Sequence, residues 1–192
     1  MTRILVFDNY DSFTYNLVHL VEKITHSKVE VFRNDGIPLE NVKVYDKIIL
    51  SPGPGIPSEA GLLPELIKEY APSKSILGVC LGHQAIGEAF GGTLHNLSSV
   101  YHGVATPIRL NGAGEKSPLF AGLGNELLVG RYHSWVINRE GFPDDLEITA
   151  SDSEDFIMAL QHKKYDVQGV QFHPESVLTP LGEKILGNWL AQ

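Results

Sequence analysis

A chain of 192 residues with 23 Asp and Glu against 15 Lys and Arg, net charge −8 and one cysteine has the size of one compact domain with a substantial core. The acidic balance, with no basic cluster, argues against a nucleic-acid binder. The single cysteine excludes an internal disulfide and suits a reducing compartment, and no apolar run approaches a membrane span.

The start, Met1-Thr2-Arg3-Ile4-Leu5-Val6-Phe7-Asp8, is too short in its apolar part for a signal peptide and reads as a first strand. A cytoplasmic protein with one domain over 1–192 is expected. Asp11 or Ser12 can cap the helix that follows, in which Phe13, Leu17, Leu20, Val21 and Ile24 share one face. Val29, Val31 and Phe32 suggest a second strand closed by Asn34-Asp35-Gly36, and Lys47-Ile48-Ile49-Leu50 a third. The third runs into the stiff loop Ser51-Pro52-Gly53-Pro54-Gly55-Ile56-Pro57, and a helix over 59–70 follows with Pro64 near its start. Ser75 to Val79 is a buried strand, and Gly82 to Phe90 a helix stopped by Gly91-Gly92. Strand and helix thus alternate up to Phe90, which predicts an open, mostly parallel sheet with helices on both faces. Beyond Gly92 the chain reads as short antiparallel additions over 104–110, 126–130, 146–150 and 156–162. A strand over 167–172 and a closing helix over 181–190 complete it.

Gly78-Val79-Cys80-Leu81-Gly82 is the nucleophile-elbow pattern with sulfur in place of a serine oxygen. Cysteines in apolar runs are ordinarily core. Here the flanking glycines and the switch from strand to helix place Cys80 in a strained turn, where the helix N-terminus favours a thiolate. In open α/β sheets, sites form beyond the carboxyl ends of the strands. Two other strand ends carry unusual residues: the Pro52–Pro57 loop and His173-Pro174-Glu175. His173 and Glu175 lie two apart, so in extended chain they project to the same side. Glu175 could orient the imidazole of His173 toward Cys80 as its base. Attack by sulfur on a carbonyl needs N–H donors for the oxyanion; Leu81 can supply one and the Gly53 loop another. His83 and His133 read as structural or substrate-adjacent. No metal-ligand spacing is present, so neither a protein-held metal nor a cofactor is expected.

With Ser51-Pro52-Gly53-Pro54-Gly55 upstream and His173-Pro174-Glu175 downstream, Gly78-Val79-Cys80-Leu81-Gly82-His83-Gln84 resembles the class I (triad) glutamine amidotransferases, whose fold is flavodoxin-like. Asp8-Asn9-Tyr10-Asp11-Ser12-Phe13-Thr14-Tyr15-Asn16 narrows the resemblance to the small subunits of anthranilate synthase and of aminodeoxychorismate synthase. The resemblance covers nearly the whole chain and implies a catalytic triad of Cys80, His173 and Glu175, with an oxyanion hole at Gly53 and Leu81. It also implies glutamine contacts from Gly53, Pro54, Gly55, Gln84, Ser134 and Trp135. The Tyr132-His133-Ser134-Trp135 segment alone reads as a turn with buried aromatics. The implied activity is hydrolysis of L-glutamine through a Cys80 thioester, with ammonia passed to a separate synthase subunit that aminates chorismate. The product is expected to be anthranilate, with 4-amino-4-deoxychorismate as the alternative. Loops around Asn9 to Ser12 and Ser99 to Gly103 are expected to dock that partner. A stand-alone Cys-His-Glu hydrolase, such as a γ-glutamyl hydrolase, and a non-catalytic relative are the other readings the residues allow.

Overall fold

The computed structural model describes residues 2–192. Strands covered on both faces must be apolar on both faces, and the first half of the chain is built this way. In β1 (Ile4–Asp8), Ile4 and Val6 enter one apolar cluster while Leu5 and Phe7 enter the other. After α1 (Thr14–Thr25) and β2 (Glu30–Arg33), β3 (Lys47–Leu50) divides in the same way. Its Ile49 joins the first cluster, and Ile48 and Leu50 join the second. The period of two in a strand assigns each side chain to its face. Next come α2 (Leu63–Tyr70), β4 (Ser75–Val79) and α3 (Leu81–Ala89). The rest is β5 (Leu94–Leu110), α4 (Gly112–Lys116), β6 (Glu126–Ile137), β7 (Leu146–Ser151), β8 (Ile157–His162), β9 (Val167–Val170) and α5 (Gly182–Leu190).

Among the described residues the nine strands form one sheet in the order β2-β1-β3-β4-β9-β8-β7-β5-β6. The first five in that order pair in parallel, and β8, β7, β5 and β6 extend the sheet antiparallel. One face is covered by α1 and α5, through Leu17, Val21, Ile185, Leu186 and Trp189. The other is covered by α2 and α3, through Leu63, Leu66, Ile67, Ala85 and Ile86. Each of the fully buried Leu, Ile and Val side chains among these contributes roughly 1.5–3 kcal/mol relative to exposure. The fold class expected from the alternating pattern is the one found. No helix among the described residues is long and apolar enough to cross a membrane.

Several boundaries differ from the sequence-based expectation. The expected strands over 104–110 and 126–130 are parts of much longer ones, and β5 runs 17 residues and β6 12 as a paired hairpin. The added stretch of β5 is largely exposed, so hydrophobic alternation fades there although pairing continues. The added stretch of β6, Arg131 to Ile137, is buried or half-buried but begins with the polar run Arg131 to Ser134. The Tyr132–Trp135 segment therefore lies in β6 and not in a turn. The helix expected over 59–70 begins only at Leu63, because Pro57–Glu59 forms a separate 3₁₀ turn; Pro64 stands in the first turn of α2. The residue flanking α1 is Phe13, without a side-chain cap. Asp11 Oδ2 instead accepts from the Phe13 N–H at 3.2 Å, making a local turn before the helix. The Asn111-Gly112-Ala113-Gly114 turn opens α4, where Asn111 Oδ1 accepts from the N–H groups of Ala113 and Gly114. The last buried strand stops at Val170, two residues short of the expected end.

Backbone contact makes one glycine testable. A Cβ on Gly82 would lie 2.5 Å from the Leu50 carbonyl oxygen, whereas a Cβ on Gly112 meets nothing within 4 Å. Gly82→Ala is expected to lower unfolding free energy by about 1–3 kcal/mol. Gly112→Ala should be neutral or stabilising by up to about 1 kcal/mol. Denaturant titrations of the two variants check this; equal stabilities would contradict the packing.

Candidate active site

Cys80 joins β4 to α3 with φ 52° and ψ −99°. A side-chain-bearing residue held there stores about 1–3 kcal/mol of strain, which the surroundings must offset. The offset is visible: the Cys80 N–H donates to Val170 O at 2.9 Å, and Cys80 O accepts from the Gln84 N–H at 3.0 Å. The flanking glycines serve close approach, since neither has the positive φ expected of a sharp turn. A Cβ on Gly78 would stand 2.5 Å from the Gly82 carbonyl, and one on Gly82 equally close to β3. The positive φ falls on the cysteine itself. Its sulfur is the only thiol in the chain, and the residue is 6% exposed. Sγ–H can donate to Tyr132 O at 3.8 Å, and Gln171 Nε2 donates to Sγ at 3.5 Å.

β9 lies beside β4 in parallel, with Val79 opposite Val170. The residues that follow each strand therefore emerge side by side. Beyond β9, His173 Nδ1 donates to Glu175 Oε1 at 2.7 Å, with the two side chains 2% and 0% exposed. This fixes the tautomer and leaves Nε2 without a hydrogen-bond partner in the resting arrangement. Two rings brace the imidazole edgewise, Tyr132 at 4.9 Å and Phe13 at 5.6 Å between centroids. Burial works against a charge on His173. Hydrogen bonding and the negative potential from Cys80 and Glu175 outweigh it, raising its pKa to about 10.

Gly53, Gly55, Cys80, Gln84, Tyr132, His133, Ser134 and Trp135 line one cavity of about 140 Å³. That is well below the roughly 300–1,000 Å³ of a drug-sized site and suits a ligand the size of an amino acid. A larger hollow, about 380 Å³ between Thr2, Ile24, Lys28 and Leu190, opens beside the start of β1 and holds neither thiol nor histidine. The Gly53 loop is tied down from behind. The Asn9 N–H donates to Ser51 Oγ and Asn9 Nδ2 to Ser51 O, both at 2.8 Å, and Asn34 Nδ2 donates to Asn9 Oδ1 at 3.2 Å. A Cβ on Gly53 would meet Asn9 O at 2.6 Å and the Leu81 side chain at 2.8 Å. Gly53 therefore sits against the first residue of α3, whose N–H belongs to a helix N-terminus.

The structure thus brings together Cys80, Gly53, Gly55, Leu81, Gln84, Ser134 and Trp135, with His173 and Glu175 behind the sulfur. Pro54 is exposed and outside the cavity lining. Sequence reasoning missed Gln171, the bracing role of Phe13 and Tyr132, and Asn9 as the anchor of the Gly53 loop. The Gln171 signal was present, two residues before His173. Among the described residues no group of three or more His, Cys, Asp and Glu could hold a metal ion. Chemically, the arrangement offers a sulfur nucleophile, a histidine to carry its proton and a carboxylate that orients the histidine.

Residues 5–192 match the family described as glutamine amidotransferase class-I. The chain is 46% identical to anthranilate synthase component 2 of Pseudomonas aeruginosa, over 98% of this chain and 95% of that one. It is 44% identical to aminodeoxychorismate synthase component 2 of Escherichia coli, over 97% and 98%. Among solved structures it is similar to a Thermoplasma acidophilum chain provisionally assigned to GMP synthase. The TM-score is 0.86 at 26% identity, over all of this chain and 93% of that one.

Histidine burial sets a pH dependence of stability. Burial pushes His83 down to about 3, and burial together with the Arg131 charge does the same to His133. Unfolded, both take up protons below about 6.5, while the folded protein resists. Stability therefore falls as pH drops from 6.5 toward 3. His173 has the opposite sign: its contribution is complete below 6.5 and is lost as pH rises through about 10. Thermal melts should decline on both sides of neutrality. In His83→Met the acid limb should be shallower than in the parent; an equally steep limb would contradict a buried neutral His83.

Proposed function

We propose, from the premise that this chain belongs to the class-I glutamine amidotransferase family, that it is the glutamine-hydrolysing subunit of a chorismate-aminating synthase. The anthranilate-forming enzyme is the first reading. The observation that carries it is the strained Cys80 turn with the buried His173–Glu175 pair behind it, at the floor of an amino-acid-sized cavity. The reading takes 1–192 as one glutamine amidotransferase domain.

In the proposed reaction Cys80 sulfur attacks the side-chain carbonyl carbon of L-glutamine. The Gly53 and Leu81 N–H groups receive the oxyanion. Protonated His173 gives its proton to the departing ammonia, leaving a Cys80 thioester and neutral imidazole. Part of what raises His173 is its interaction with Cys80, and acylation of the sulfur removes it. His173 is then a free base that takes a proton from water as water attacks the thioester. Collapse releases glutamate, and the proton returns to the Cys80–His173 pair.

The ammonia needs an acceptor that this chain does not carry, which supports a synthase partner. Exposed apolar side chains border the loops expected to dock it, including Tyr10 at 48%, Tyr15 at 60% and Val100 at 68% exposure. The second of these, Ser99 to Gly103, is not a loop but part of the exposed stretch of β5, and its Tyr101 stacks on the cavity residue His133 at 5.2 Å. The 44% identity to an aminodeoxychorismate synthase component 2 supports a second reading, in which the same glutaminase feeds a synthase that forms 4-amino-4-deoxychorismate.

Cys80→Ala is expected to abolish glutamine-dependent product formation while the assembled complex still uses added ammonia. His173→Ala should cost on the order of 10³-fold or more, and Glu175→Ala somewhat less. Steady-state assays with glutamine and with ammonium check this; glutamine turnover by Cys80→Ala would overturn the assignment. Reconstitution with each type of synthase subunit, fed chorismate and glutamine, should give anthranilate by mass and fluorescence. Exclusive 4-amino-4-deoxychorismate would select the second reading.

A further inference from the structure

Arg131 and Asp152 form a buried ion pair at 2.7 Å, 1% and 3% exposed. Such a pair is often no more stabilising than apolar residues of similar size, so its presence asks for another reason. Its connections supply one. Arg131 Nε donates to His133 Nε2 at 3.1 Å. A guanidinium has no acceptor, so Nε2 must be the bare nitrogen of a neutral ring and Nδ1 must carry the hydrogen. Nδ1 therefore donates to Trp135 O at 3.0 Å. The pKa of His133, pushed down to about 3 by burial and by the Arg131 charge, agrees with a neutral ring. Tyr101 closes the stack, its ring 3.6 Å from the Arg131 guanidinium carbon and 5.2 Å from the His133 ring.

The chain of directed bonds continues. Trp135 O, which can only accept, also takes a hydrogen bond from Gln84 Nε2 at 2.8 Å. The other hydrogen of that nitrogen goes to Gln171 Oε1 at 3.2 Å, and Gln171 Nε2 donates to Cys80 Sγ. Both donors of the Gln84 amide are therefore used, and only its carbonyl oxygen is left for anything bound in the cavity that Gln84 lines. Reversing the amide would set its oxygen against two other oxygens.

We propose that His133 is a positioning residue: locked by Arg131 and Asp152, it holds the Trp135 carbonyl and through it turns the Gln84 amide, so that the cavity presents an acceptor to the α-ammonium group of an amino-acid substrate. The proposal rests on the glutamine reading above. It assigns His133 to substrate selection and not to proton transfer.

The test uses the full chain and its only thiol. Cys80 is alkylated with iodoacetamide, and the concentration of L-glutamine that halves the rate is compared with that of glutaramate, which is glutamine without the α-amino group. A hydrogen bond to a charged group corresponds to roughly tenfold or more in binding, so the parent should need at least about tenfold more glutaramate. In His133→Leu the glutamine requirement should rise about tenfold and the preference over glutaramate should collapse. In His133→Gln, whose amide can accept from Arg131 and donate to Trp135 O, the preference should return to within about threefold of the parent. A preference unchanged in His133→Leu, or lost equally in His133→Gln, overturns the inference and leaves the glutamine reading intact. No protection of the parent by glutamine overturns that reading and the inference with it. Should His133→Leu fail to fold, Tyr101→Leu removes the lid on the same stack. It is expected to weaken the preference about threefold, and an unchanged preference there overturns the inference equally.

Discussion

One constraint organises the site: a cysteine held at positive φ between a strand and a helix. A turn this tight brings α3 back against β3 and β4, and only residues without Cβ fit at Gly78 and Gly82. In return the turn lifts the sulfur out of the β4 ladder and sets it beside the first turn of α3, where unpaired N–H groups gather. The strain is tolerated because the sheet beneath is covered on both faces. β1, β3 and β4 contribute apolar side chains to the clusters on both sides, and the buried polar groups at their ends are paired: Asp8 accepts from Thr14, and Lys47 donates to the Trp189 carbonyl.

Pairing in the sheet then decides what meets the sulfur. β4 and β9 are neighbours only because β9 returns from the antiparallel extension to lie in parallel against β4. Residues 91 positions apart, Cys80 and Gln171, become hydrogen-bonded, and His173 follows two residues later. The far side of the cavity comes from β6, at the outer edge of the sheet order. Tyr132 carries a bond to the sulfur through its carbonyl, braces His173 with its ring, and reaches Ser176 through its hydroxyl at 3.2 Å. The edge strand and the central strands are thereby locked to one another at the reacting centre.

How much of this was legible in the sequence follows from how local each signal is. The elbow, the Pro-Gly loop and His173-Pro174-Glu175 are contiguous motifs, and continuous apolar runs marked β1, β3 and β4. The ends of β5 and β6 were not legible: the outer part of β5 faces water, so burial imposes no alternation, and the inner part of β6 buries polar side chains such as Arg131 and His133 that an apolar pattern does not mark. The register shift between the pairs Asn96–Trp135 and Tyr101–His133 leaves no trace in composition. Arg131 and Asp152 escaped notice for a related reason, and with them the bonds that fix His133, which the sequence marked only as structural or substrate-adjacent. An Arg and an Asp 21 positions apart look like two surface charges until the β5–β6 and β5–β7 pairings bring their strands together.

The polar interior of this site differs in kind from the apolar core that supports it. The core tolerates exchange of shape for shape, because dispersion and burial carry no direction. The bonds that run from Asp152 through Arg131, His133, Trp135, Gln84 and Gln171 to Cys80 carry a direction at every link. Two groups set it: Arg131, which can only donate, and the Trp135 carbonyl, which can only accept. Removing either leaves neighbours that can turn over and donors without acceptors, in surroundings where an unpaired polar atom costs about 1–3 kcal/mol. A buried network of this type resists any side chain that lacks the right hydrogens, even one of equal volume. For a site that must tell one small amino acid from its analogues, that intolerance is the useful property. The groups joined in this way lie on β6, on α3 and just beyond the end of β9.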